Sequence, residues 1–89
     1  IKVFFVQSMT PALNGVSFPP FCSSATRAPF LFHIYISNSA NDRTLAHEIG
    51  HQLLNCECHG QPDPDNLMIP NGPGSNLDAT QEATIFTNA

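Results

Sequence analysis

Basic residues are scarce in this 89-residue chain, and so are charged residues of either sign. Lysine and arginine together number three against seven Asp and Glu, which gives a formal net charge of −4. A nucleic-acid-binding domain normally carries a basic face, so this composition argues against a nucleic-acid partner. Only 11% of the residues are charged while 42% are hydrophobic, a composition typical of a folded domain rather than of a disordered acidic tail.

Long hydrophobic runs are also lacking. The longest, residues 3–6 and 29–32, are far shorter than the roughly 20 apolar residues that a membrane-spanning helix needs, so we expect no membrane span. The length allows one domain with one core, over residues 1–89. Because so small a domain buries little surface, a bound metal, a disulfide or neighbouring sequence would help to stabilise it.

Cysteine is present in an odd number, as Cys22, Cys56 and Cys58, so these residues cannot all pair within the chain. A single residue separates Cys56 from Cys58, and we expect this pair to lie too close to bridge easily. Cys22 could pair with either one in an oxidising compartment, or all three thiols could stay reduced. The count does not fix the compartment; a secreted or periplasmic location is favoured over a cytoplasmic one.

Hydrophobic patterning predicts a small sheet followed by two helices. The predicted strands are residues 1–7, 15–18 and 30–36. The first of these strands is expected to be buried on both faces, and the second to lie at an edge. The apolar period then becomes helical over residues 42–54, with Asn55 as a left-handed stop. A last helix opens at Asp78, which forms a capping box with Gln81, and runs to about residue 86. We therefore predict an α/β (α+β) fold: a small mixed sheet, an active-site helix beneath it and a short C-terminal helix.

The first predicted helix carries His47 and His51 four residues apart. On a helix this spacing puts both imidazoles on one face, where they can share one tetrahedral Zn²⁺. Glu48 lies beside that face and can reach a metal-bound water without being a ligand. Zinc lowers the pKa of such a water toward ~7, and a carboxylate can take its proton as it attacks a carbonyl. The pattern therefore predicts peptide-bond hydrolysis with Glu48 as general base and acid.

This helix and the later segment Asn66-Leu67-Met68 resemble the metzincin family of zinc metalloproteases, whose signature is H-E-x-x-H-x-x-G-x-x-H followed by a Met-turn. His47, Glu48 and His51 match the first half of the signature. Met68 matches the methionine of the turn. The resemblance implies a zincin-like fold and a hydrophobic floor, made by Met68, beneath the metal.

The second half of the signature departs from the family pattern, because its glycine falls on Leu54 and its third histidine on Glu57. One solution is that Asn55 makes the left-handed turn and His59, two residues late, is the third ligand. Another keeps the spacing and makes Glu57 the ligand. The two neighbouring cysteines are further candidates, and two thiolates with two histidines would close the site. His59 is the favoured third ligand.

Two functions from different classes follow. The first is a zinc metalloendopeptidase (hydrolase) that acts on a protein or peptide, with His47, His51 and His59 as metal ligands. The alternative is a catalytically inactive or truncated binding module that a closed zinc site stabilises.

Family members carry a further strand and a long helix before this point, so we expect either a fragment without them or a minimal version. The fourth histidine, His33, lies in a predicted strand and is expected to be structural or exposed. The oligomeric state stays open.

Overall fold

The computed structural model describes residues 1–22, 24 and 26–89, which form a small α+β fold. The strands are β1 (Lys2–Phe5), β2 (Gly15–Ser17) and β3 (His33–Ile36), and the helices are α1 (Thr44–Leu54) and α2 (Ala79–Asn88). Short 3₁₀ helices at Pro20–Cys22 and Ala28–Phe30 lie between β2 and β3. The prediction of a mixed α and β fold is confirmed at this coarse level. None of the described helices is long and apolar enough to cross a membrane.

The three strands form one mixed sheet in the order β1-β3-β2. β1 runs parallel to β3, and β2 runs antiparallel to it. Helix α1 packs against β2 and β3. Since side chains alternate along a strand, Ile34 and Ile36 of β3 share one face and are buried, while His33 and Tyr35 share the other and are half-buried. The core thus lies between α1 and the β2–β3 side of the sheet.

The expectation that the first strand is buried on both faces is wrong. β1 is only four residues long and lies at an edge of the sheet. Phe4 is 40% and Phe5 75% exposed, because β1 pairs on one side only and α1 packs against the other two strands. The third strand is also shorter than predicted. Its first predicted residue, Phe30, ends a 3₁₀ helix, and Phe32 has a left-handed φ of 65°, which interrupts the extended backbone.

Helix α1 begins two residues later than predicted and ends where predicted. At its start, the side-chain oxygen of Asn41 accepts the backbone N–H of Arg43 (3.0 Å), which satisfies a donor that the helix leaves free. At its end, Asn55 adopts the left-handed conformation (φ 52°, ψ 50°). This left-handed residue turns the chain back toward the helix it has just left.

Residues 65–76 form a loop whose backbone is hydrogen-bonded to the Arg43 side chain. Its guanidinium donates to the carbonyls of Leu67 (2.5 Å), Ile69 (3.0 Å) and Gly74 (2.7 Å). Three charge-assisted bonds to carbonyls in one loop fix its path more firmly than a single neutral bond would. The loop is therefore tied to the residue that immediately precedes α1.

A second set of polar bonds ties this loop to α2. The predicted capping box is present: the Asp78 carboxylate accepts the backbone N–H of Gln81, and the Gln81 side chain accepts that of Asp78. The Gln81 amide also exchanges two bonds with the Asn66 side chain (2.7 and 3.2 Å). Asn66 in turn accepts the backbone N–H of Met68 (2.9 Å). Since Asn66, Met68 and Gln81 are buried, each bond satisfies a group that would be costly to bury alone.

Substituting Gly74 with alanine should open the loop. A Cβ there would collide with the backbone of Asp65, and backbone cannot move aside as cheaply as a flexible side chain. We expect Gly74→Ala to lower the free energy of unfolding by about 1–3 kcal/mol, as overpacked sites do. Urea denaturation measures this. Gly60→Ala is the matched control, since a Cβ at Gly60 has nothing within 4 Å. Equal stability of the two variants would contradict the packing described here.

Candidate metal centre

Three histidines converge at the C-terminal half of α1. The Nε2 atom of His51 lies 3.2 Å from that of His47 and 3.0 Å from that of His59. All three ligand atoms are within 4.8 Å of one another. A tetrahedral ion with bonds of ~2.0–2.1 Å has ligands about 3.3 Å apart. Two of the three separations are close to this value, and the three rings together could hold a metal ion.

Two backbone carbonyls fix which ring nitrogen carries the proton. The Nδ1–H of His47 donates to the Leu67 carbonyl (2.7 Å), and the Nδ1–H of His51 donates to the Cys56 carbonyl (2.8 Å). Because a carbonyl can only accept, the proton of each neutral ring is on Nδ1 and the lone pair is on Nε2. The lone pairs of these two histidines therefore face each other.

Burial keeps these two rings neutral. It lowers the pKa of His51 to about 4 and also lowers the pKa of His47, although the carbonyl bonds oppose the shift. Neutral imidazole is the form that binds metals. Two lone pairs 3.2 Å apart repel each other unless a cation lies between them, and protonation of these buried rings is disfavoured. The donor set therefore fits a metal ion.

Glu48 follows His47 on α1 and is only 5% exposed. Its Oε1 lies 4.0 Å from His47 Nε2. Its Oε2 is buried and has no hydrogen-bond partner among the described residues, an arrangement that is costly for stability unless a ligand or water completes it. Burial raises the pKa of this carboxyl to about 7. A group with that pKa can both take and return a proton near neutral pH.

The structure brings His59, and not Glu57, to the other two histidines. Both residues are exposed, but His59 belongs to the group of converging ligand atoms among the described residues and Glu57 does not. Asn55 makes the left-handed turn, as the first of the two solutions requires. Compared with the signature, this chain has two additional residues before the third histidine, and they lie in the segment that connects α1 to His59.

The expectation that Cys56 and Cys58 lie too close to bridge is wrong, because the two form a disulfide with Cα atoms 5.3 Å apart. The left-handed φ of 51° at Cys58 bends the short segment so that both side chains face each other. This bond replaces both possibilities that the sequence left open for these two residues, a pairing with Cys22 and a fully reduced state. The Cys22 side chain itself lies outside the described residues. Sulfur atoms joined to each other are not available as thiolate ligands, so this pairing disfavours a closed site made with two cysteines.

Met68 packs against α1 at Gly50, between the two helix histidines. It is fully buried. Gly50 is the point of closest approach, since a Cβ there would collide with the Met68 sulfur. The preceding residue, Leu67, supplies the carbonyl that orients His47. This segment thus packs against the helix that carries the histidines and orients one of their rings.

Two cavities meet at the centre, with volumes of about 360 and 280 Å³. Both are lined by Leu13, Gly15, Glu48 and His59. Gly15 allows β2 to approach the helix closely, because a Cβ there would lie 2.9 Å from Glu48 Cγ. An extended molecule seated along β2 could therefore occupy a cavity on each side of Glu48.

Arg43 and the Asn66–Gln81 pair were not expected from the sequence, although each supports the site. The chain has only three basic residues, and one of them directly precedes the helix that carries the histidine motif, a signal that could have drawn attention to Arg43. His33 is outside the cluster, and its Nδ1 lies 3.1 Å from the Tyr35 hydroxyl. Comparisons with protein-family models, curated proteins and solved structures found no match.

The stability of the metal-free protein should depend on pH through Glu48. Its folded pKa of about 7 exceeds the ordinary value of 4.5. The stabilising effect of holding that proton is therefore complete below pH 4.5 and is lost as the pH rises through 7. Relative to Glu48→Gln, the wild type should lose up to roughly 3 kcal/mol by about pH 8.

Urea unfolding of both proteins in the presence of a chelator, repeated across this pH range, tests the effect. The comparison cancels the titration of the histidines, which both proteins share. A stability difference that does not change with pH would show that Glu48 titrates normally in the fold.

Proposed function

We propose that this chain is a zinc-dependent metallopeptidase of metzincin-like design that hydrolyses peptide bonds. One observation carries the proposal: three histidine nitrogens converge beside a buried carboxylate oxygen that lacks a partner among the described residues. Three protein ligands leave a coordination position free, as catalytic zinc sites do, whereas structural sites use four. The resemblance to the metzincins rests on His47, Glu48, His51 and Met68 and on their arrangement.

Zinc is the metal we propose, since three imidazoles suit a borderline ion with no strong geometric preference. Bound there, zinc would lower the pKa of a coordinated water to near 7 and polarise the carbonyl to be attacked. The residues that would hold it are His47, His51 and His59. Their Nδ1–H bonds to backbone carbonyls, present on His47 and His51, also raise ligand basicity.

Glu48 is the group that we assign to proton transfer. Burial favours the neutral form of Glu48, so transfer of a proton from the attacking water to its carboxylate is more favourable than it would be in solvent. The acid so formed then gives the proton to the leaving amine. Because Oε2 has no partner among the described residues, no internal hydrogen bond must be broken for either transfer.

A peptide in extended form is the substrate that the surroundings support. The Asn14 carbonyl accepts the N–H of Ser37, directly after β3, and the Phe18 N–H donates to the His33 carbonyl of β3. By alternation, the backbone groups of Gly15 and Ser17 point to the free edge of β2. An extended peptide can add to such an edge as a further strand. This would lay its backbone past Glu48, between the two cavities.

The alternative function, a binding module stabilised by a closed zinc site, has less support. It needs a fourth protein ligand, and the described cluster offers three. The disulfide between the nearby cysteines withdraws both sulfurs from that role. The same disulfide supports our proposal of a secreted or periplasmic location, since such bonds persist in oxidising compartments.

Glu48→Gln should retain zinc and lose peptide hydrolysis. The amide has nearly the same shape but cannot take a proton, and general acid–base catalysis contributes about 10²–10⁴-fold. We expect kcat to fall by that range in an assay with an unfolded protein such as casein, with zinc content unchanged by elemental analysis. Full activity in the variant would defeat the assignment of Glu48.

His59→Ala should weaken zinc binding much more than Glu57→Ala. Removal of a direct ligand should cost more than the roughly 10–100-fold that loss of a ligand's supporting bond costs. Competition with a chromophoric chelator measures both affinities, and circular dichroism checks that each variant is folded. The reverse order would make Glu57 the third ligand.

A further inference from the structure

The crossing from His51 to His59 is built around the Cys56–Cys58 disulfide. The disulfide closes a ring of three residues, with one metal-binding histidine a few residues before it and the other directly after it. Two residues of the crossing, Asn55 and Cys58, have left-handed backbones with φ of 52° and 51°. Non-glycine residues seldom adopt this conformation without a local constraint.

The carbonyls of both cysteines are hydrogen-bonded. The Cys56 carbonyl accepts the Nδ1–H of His51 (2.8 Å), and the Cys58 carbonyl accepts the Gln61 side-chain amide (2.8 Å). The ring therefore orients His51 through a hydrogen bond, and it sets the position of His59 because that residue follows Cys58 directly in the chain. Before the ring, the Asn55 side chain accepts the backbone N–H of Phe21 (2.7 Å), which anchors the crossing to the connection after β2.

We propose that the Cys56–Cys58 disulfide is the positioning element of the metal centre, so that metal affinity depends on the oxidation state of this pair. The inference rests on the proposed metal site. Cys56 and Cys58 are positioning residues: they act on the metal through His51 and His59 and are not themselves ligands.

Reduction would remove the constraint by a balanced exchange. A dithiol breaks the S–S bond by supplying two electrons and two protons, becomes a disulfide itself, and leaves two thiols on the protein. Without the ring, residues 55–58 regain backbone freedom, and that freedom must be lost again whenever His59 joins the other ligands. The Cys56 carbonyl is then no longer held against His51.

The fold should survive this change. A ring of three residues restricts the unfolded chain much less than a long disulfide loop does. Cys56 and Cys58 lie outside α1, α2, β2 and β3, the elements that pack against one another to form the fold. The effect is therefore expected on metal binding and not on secondary structure.

The test compares oxidised wild type with the double variant Cys56→Ser/Cys58→Ser and with wild type reduced by a dithiol that is then removed without air. Zn²⁺ affinity is measured by competition with a chromophoric chelator, and the site is also loaded with Co²⁺ for absorption spectroscopy. Cys22→Ser is the matched control, since it removes a cysteine outside the bond. Circular dichroism monitors the fold of every sample.

We expect Zn²⁺ affinity to fall about 10–100-fold in the double variant and in the reduced protein, and to return when the reduced protein is reoxidised. Cys22→Ser should bind like the wild type. The visible Co²⁺ bands should change in both perturbed samples, with no sulfur-to-cobalt charge-transfer band in the near ultraviolet.

Three results would overturn the inference. Unchanged affinity in the double variant would show that the ring does not position the ligands. A sulfur-to-cobalt band in the reduced wild type would show that the thiolates join the shell as ligands. A loss of affinity in Cys22→Ser equal to that of the double variant would show that the pairing is different. If the oxidised wild type binds no Zn²⁺, the proposed function fails as well, whereas equal binding by all samples sinks this inference alone.

Discussion

The repulsion between the Nε2 lone pairs of His47 and His51 is the constraint on which the site depends. Neither ring can turn away, because the Leu67 and Cys56 carbonyls hold the opposite nitrogens. Neither ring readily accepts a proton, because burial lowers the pKa of both. A cation between them would turn this repulsion into attraction. Since each carbonyl belongs to a different loop, both loops are part of the site.

The interior of this small domain is more polar than apolar, which makes the hydrogen bonds around the site important for the whole fold. Among the described residues the buried polar side chains are Ser37, Thr44, His47, Glu48, His51, Gln52, Asn66 and Gln81, and the buried hydrophobic ones are Ile34, Ile36, Leu67 and Met68. Burying polar groups is tolerable only where partners replace water. Arg43, Asn66 and Gln81 supply such partners around the loop of residues 65–76. A bound metal would add its own binding free energy to the folded state.

Features set by neighbours in the sequence could be predicted, and features set by distant packing could not. The histidine spacing, the left-handed stop at Asn55 and the Asp78–Gln81 capping box each depend on a few consecutive residues, whose geometry is general. The exposure of β1 could not be predicted, because an aromatic run is the same in sequence whether or not a second layer covers it. The role of Arg43 was missed for a related reason: its three carbonyl partners are 24 to 31 residues away.

The crossing to His59 shows why a strict spacing rule would have missed the third histidine. The position of a ligand is set by where its ring nitrogen lies, and a loop can reach the same point with different numbers of residues. Here α1 ends at Leu54, Asn55 reverses the chain, and Cys58 bends it again with a second left-handed residue. The two bends take up the additional length, and His59 Nε2 comes within 3.0 Å of His51 Nε2. A glycine would make the first bend at less cost, but the asparagine backbone tolerates it and its side chain adds the anchor to Phe21. A metal ion held by these three histidines would therefore constrain the geometry of the crossing, and the number of residues can vary as long as that geometry is kept.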